Sequence, residues 1–114
     1  MLFSGLLLFK SEIAGAENVG LFSELAVVIV SASDKPGAIS KATSFGHEQS
    51  TSFQNSDEET VRYSFYKLLD LYEHDEATAI TAESDVITVF SKFLPVAPES
   101  VEQALDDFDR KLLD

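Results

Sequence analysis

The six residues Leu25–Val30, LAVVIV, constrain this chain more than any other stretch. Val27, Val28, Ile29 and Val30 are consecutive β-branched residues, stiff at χ1 and suited to a pleated surface. This is the strongest β signal in the chain, so residues 21–32 are expected to form a central strand. In the opening, MLFSGLLLFK, Leu6–Phe9 are unbroken by a polar residue, and a run apolar on both phases belongs to a strand covered on both faces or to one that bends. No positive residue precedes that apolar segment; Lys10 follows it, which argues for a first strand over residues 2–13 and against a secretory leader. No apolar run approaches the ~20 residues that a membrane-spanning helix needs.

Helical signals are fewer. After the second strand comes SDKPGAISKATSFG. Ser33 or Asp34 can cap a helix whose first turn tolerates Pro36. Ala38, Ile39, Ala42 and Phe45 share one face, and Gly46 is expected to end the helix in a left-handed cap. The C-terminal segment has Val101, Ala104, Leu105, Phe108 and Leu112 at amphipathic helical spacing. Ser100 and Gln103 have capping-box spacing, and acids precede Arg110 and Lys111 in the sense the helix dipole favours.

Between the helices lie further strands. Residues 50–54 are a weak candidate, followed by the polar turn NSDEE. Residues 61–73, VRYSFYKLLDLYE, alternate cleanly through Val61, Tyr63 and Phe65 and then change phase, which a β-bulge or bend near Tyr66–Leu68 would repair; a short helix there is the competing reading, disfavoured by the Tyr and Phe just before it. VITVFSKFL, from Val86, reads as the last strand, closed by Pro95 and Pro98. Residues 14–20 and 74–85 read as connections. The expected class is α+β: a mainly antiparallel sheet of four to five strands, a short helix after the second strand and a C-terminal amphipathic helix, with helices on one face.

The chain's 114 residues suit one domain, 1–114, and 45% hydrophobic residues supply a core. Most of the nine Phe fall on apolar phases and are expected inside; among these are Phe3, Phe9, Phe22, Phe45, Phe65, Phe90, Phe93 and Phe108. With no Cys, disulfides, thiolate chemistry and cysteine-based zinc sites are excluded. Twenty acids against eight bases leave a net charge of −12. Nucleic acid and anionic membranes should be repelled, and a cationic protein attracted.

Three pieces together, LFSELAVVIVSASDKPGAISKATSFGHEQSTSFQN, VRYSFYKLLDLYE and VFSKFL, resemble a family of small bacterial domains of unknown function over residues 2–94. That likeness implies a structural framework and no catalytic residues. The chain departs from the family pattern in the NSDEE turn, where Gly is expected in place of Glu58, and it adds the C-terminal helix. In size, acidity and lack of catalytic motifs it also resembles the immunity proteins made beside bacterial contact-dependent toxins. That likeness implies a cytoplasmic, non-catalytic inhibitor.

The constellations that could carry chemistry are thin. His74, in YEHDE, lies in an extended run that supplies at most two ligands to one point, and nothing places His47 beside it. NSDEET starts like a calcium loop, but Thr60 stands where Gly is needed and Tyr66 where the bidentate acid is needed. No nucleophile elbow, phosphate-cradling loop or nucleotide fingerprint is present. No metal, cofactor or catalytic residue is therefore expected. The charge is distributed unevenly: Asp70–Asp114 holds twelve acids and three bases, Met1–Leu69 eight and five. Asp70, Glu73, Asp75, Glu76, Glu83 and Asp85, with Tyr66 and Tyr72 as aromatic anchors, are the expected partner-binding residues. The acids at Asp57–Glu59 are expected at the far end of the same strand, roughly 40 Å away if it is straight. The functional expectation is a non-enzymatic inhibitor of a basic nuclease toxin; the alternative is a structural or oligomer-forming domain whose acidity serves solubility.

Overall fold

The structure is a computed structural model that describes residues 1–14, 22–74 and 86–113, with side chains of the last helix as far as residue 107. Five strands, β1 (Leu2–Ile13), β2 (Phe22–Ser31), β3 (Thr51–Gln54), β4 (Thr60–His74) and β5 (Val86–Leu94), form one antiparallel sheet in the order β3-β4-β1-β2-β5. Helix α1 (Lys35–Glu48) joins β2 to β3, and α2 (Pro98–Leu113) follows β5. The class is α+β with an antiparallel sheet. The connections expected at 14–20 and 74–85 lie almost wholly outside the described residues.

β1 is the central strand, which explains why it is apolar on both phases. Phe3, Leu7 and Phe9 are buried with Ala26, Val28, Val30, Ala38, Ala42 and Val86 in one core. Leu8, pointing the other way by strand alternation, is also fully buried. The two helices therefore do not share a face. α1 covers the Phe3/Leu7/Phe9 side, whereas α2 packs on β1 and β2 from the Leu6/Leu8 side, with Pro98 and Val101 buried. A single covered face would leave Leu8 in water, so the doubly apolar β1 needs both.

α1 begins as the capping argument requires: Asp34 Oδ1 accepts from the Gly37 N–H at 2.8 Å, with Pro36 in the first turn. Its end differs from expectation. The helix continues through Gly46 to Glu48, and its cap is Gln49 in ordinary right-handed geometry. Gly46 is required by packing instead, since a Cβ there would lie 2.5 Å from a Phe65 ring carbon. The face in contact with the sheet is Ala38, Ala42 and Gly46, a small-residue stripe that admits the helix closely, while Ile39 turns outward.

The phase change in β4 is real and has two parts. Its register against β1 slips between Leu8 and Phe9, leaving Tyr66 as the extra residue, and again between Leu6 and Leu7, leaving Leu69 extra. The two bulges let Phe65, Leu68 and Leu71 all pack on the α1-side core. α2 starts at Pro98, so Ser100 is inside the helix; Gln103 bonds Asp107, with Nε2 to Oδ1 at 3.0 Å, instead of forming a capping box. Phe22, Phe90 and Phe93, expected inside, are exposed. β5 lies at the sheet margin, where alternation gives each face neighbours on one side only.

Candidate functional site

A groove lined by acids and leucines lies between α2 and the sheet. Leu6 of β1, Lys67, Leu69 and Asp70 of β4, and Glu99, Glu102, Gln103, Leu105 and Asp106 of α2 line a space of about 510 Å³. Each wall follows from local structure. The β4 bulges bring Lys67 and Asp70 to the α2 side and leave Leu69 at the groove. On α2, Glu99, Glu102, Gln103 and Asp106 recur at three- and four-residue spacing and so form one helical stripe. Four carboxylates thus share the space with three leucines, one lysine and one glutamine.

Lys67 Nζ bonds Glu102 Oε1 at 2.8 Å, joining the two walls. That hydrogen bond, and then the charge of Glu102, hold the Lys67 ammonium above its ordinary range despite a smaller opposing desolvation. Tyr66 Oη lies 3.4 Å from Glu102 Oε2 and 3.5 Å from Glu99 Oε1. Desolvation, followed by the charges of these two glutamates, raises its phenol. Glu102 already meets a cation, whereas Asp70 Oδ1 accepts only a backbone bond, from the Leu71 N–H at 2.8 Å, among the polar contacts described.

The expected partner-binding residues divide. Asp70 lines the groove, and Tyr66 meets its wall through Glu99 and Glu102. Tyr72 is 63% exposed, and its ring meets that of His74 edge-on at 5.1 Å. His74 Nε2 in turn contacts Ser4 Oγ, which gives the imidazole a local structural partner. Glu73 follows Tyr72 on an extended strand and points to the opposite side, so it does not join Asp70 in one surface. Asp75, Glu76, Glu83 and Asp85 lie outside the described residues. The Asp57–Glu59 turn is at the other end of β4, since Val61 pairs with Ile13 and His74 with Leu2. Sequence reasoning missed Glu99, Glu102 and Asp106 as site residues. Their spacing was visible, but it also suits a solvated helix face, and only the fold shows that the stripe meets Tyr66 and Lys67.

Among the described residues there is no group of three or more His, Asp or Glu side chains arranged to hold a metal ion. No helix among them is long and apolar enough to cross a membrane.

A comparison with curated proteins and one with solved structures each give no match. The family profile described as "Domain of unknown function (DUF4288)" matches residues 2–87, from the start of β1 to the start of β5. Strands β1–β4 and α1 fall within that span, whereas most of β5 and all of α2, the second wall of the groove, fall beyond it. This chain belongs to the DUF4288 family.

Proposed function

We propose that this protein is a non-catalytic binding domain for a cationic protein segment, and that the groove between β4 and α2 receives it. The observation that supports this most is the combination of Asp70, Glu99, Glu102 and Asp106 with Leu6, Leu69 and Leu105 in one concave space. Lys and Arg side chains have matching chemistry: an apolar stem that covers hydrocarbon and a charged head that seeks carboxylates. The net charge of −12 raises the rate at which such a partner is met. In the concrete form of the proposal the partner is a basic nuclease toxin domain. Its cationic surface pairs with these carboxylates in place of nucleic-acid phosphates, and the domain acts as an immunity protein in the cytoplasm. Tyr66 stands at the groove rim, and the exposed ring of Tyr72 extends the contact along β4.

Titration calorimetry tests the proposal, with a basic toxin domain encoded beside this chain and with an Arg/Lys-rich peptide as probes. Binding is expected to weaken markedly between about 0.05 and about 0.3 M salt, across which the screening length shortens by more than half. Replacing Asp70, Glu99, Glu102 and Asp106 together by Asn or Gln should reduce affinity by about tenfold or more. Full-strength binding by that variant would remove the groove from consideration.

A further inference from the structure

We propose that β5 is the seam of a homodimer, in which two copies add edge to edge and extend the sheet across a two-fold axis. β5 is one of the two margins of the sheet, bonded to β2 along one side. It is nine residues long and presents Val89, Phe90 and Phe93 at 58%, 59% and 62% exposure. Beyond the register shift that makes Val89 the extra residue, Phe90–Leu94 run in regular register with Ser23–Val27. Their outward backbone groups form a ready template for another strand. Phe90 lies opposite Val27 and Phe93 opposite Glu24, so the two rings emerge on different faces. A second strand added here covers apolar surface on both sides.

Charge argues that the second strand comes from another copy of this chain. Two bodies each carrying −12 repel, and they approach most easily where acid is absent. From Val86 to Pro98 there is no Asp or Glu, and Lys92 is the single charged residue. The opposite margin is β3, only four residues long and followed after Asn55 and Ser56 by Asp57, Glu58 and Glu59, together with the part of β4 that β3 does not pair, Ser64–His74, which carries Asp70 and Glu73; pairing there would bring acids of two copies together. The same lack of acid makes β5 a poor surface for the cationic segment proposed for the groove. Antiparallel pairing of β5 with itself is self-complementary and closes after two copies, so it yields a dimer and not a fibre.

Sedimentation velocity over about 1–100 μM protein tests this, in the range where such dimers dissociate. The expected result is a concentration-dependent dimer, strengthened by added salt because screening relieves the mutual repulsion. Phe90→Ser with Phe93→Ser should give a monomer, while Phe53→Ser on β3, a ring 52% exposed, should leave the dimer intact. The chain has no Cys, so Ser91→Cys offers an independent readout in a protein with both rings in place. Oxidation should link two copies through β5, whereas Ser52→Cys on β3 should not link them. A wild-type monomer throughout the range, a dimer abolished by Phe53→Ser, or cross-linking through residue 52 in place of 91 would overturn the proposal.

Discussion

Glu58 adopts φ 63°, the one positive value recorded for a non-glycine residue among those described. The turn around it explains why. Glu58 N–H donates to Asn55 O at 3.1 Å and Asn55 N–H to Glu59 O at 3.0 Å, while Asn55 Oδ1 accepts from the N–H groups of Asp57 and Glu59. This is a tight turn followed by a left-handed residue, the geometry in which Gly is favoured. The family likeness led to an expectation of Gly at this position, and the backbone gives that expectation its physical basis. Glu58→Gly should therefore stabilise the fold by about 0.5–1 kcal/mol, the relief of strain exceeding the entropy glycine adds to the unfolded chain. Denaturant titration checks it; an unchanged or lower midpoint would mean that the Asn55 bonds already offset the strain. Tyr63 supplies a second case. Its ring stacks on Phe9 at 5.0 Å, and its Oη donates to Glu24 Oε1. Burial first, then the bond to and charge of Glu24, push its phenol far above the usual range. The folded state thus keeps a proton that the unfolded chain gives up near pH ~10. The associated stability is complete below that pH and is lost as pH rises beyond it. Tyr63→Phe should cost about 1 kcal/mol at neutral pH and flatten the alkaline decline. Unfolding free energies measured near neutrality and above pH ~10 decide this: a decline as steep as in the parent protein would assign it to other groups.

At the scale of elements, the approach of α1 to the sheet depends on the absence of one side chain. Phe65 fills the place a Cβ at residue 46 would take, and it is held edge-on by Phe9 at 5.7 Å and His47 at 5.1 Å. Three ring carbons stand within 2.9 Å of the would-be Cβ. Gly46→Ala should consequently destabilise by about 1–3 kcal/mol from overpacking, although alanine is the better helix former by about 1 kcal/mol. Pairing it with Phe65→Leu should recover part of the loss, and the double-mutant cycle measures that recovery. Additive losses would show that the contact is not the cause. The same contact explains why sequence reading placed Gly46 at a helix end. A glycine near a helix terminus usually supplies backbone freedom, and only the position of β4 reveals that this one supplies room.

Across the whole molecule, a flat body of 47 × 42 × 20 Å separates acid from apolar edge. The groove gathers carboxylates from β4 and α2, while β5 carries apolar rings and no acid. The cationic partner and the second copy proposed above would therefore occupy different places on one sheet. The charge excess in the C-terminal part was legible from composition, but its focus was not. Asp70 was singled out with its neighbours in the chain, and Glu73 proved to face away from it. The residues that do accompany Asp70 begin almost thirty positions later, at Glu99, and arrive because α2 folds back across β1 and β2.

The sequence by itself determined which segments are strands and which are helices, that β2 is interior, that β4 changes phase near Tyr66–Leu68, and that the net charge is −12. These properties depend on side-chain period, on local backbone chemistry and on total charge, all of which are carried along the chain. Only the tertiary structure decided that the helices lie on opposite faces, that Gly46 makes space for Phe65, and which carboxylates share a groove. Each of these depends on distances between residues far apart in sequence, which exist only after the core around Phe3, Leu7 and Phe9 has formed.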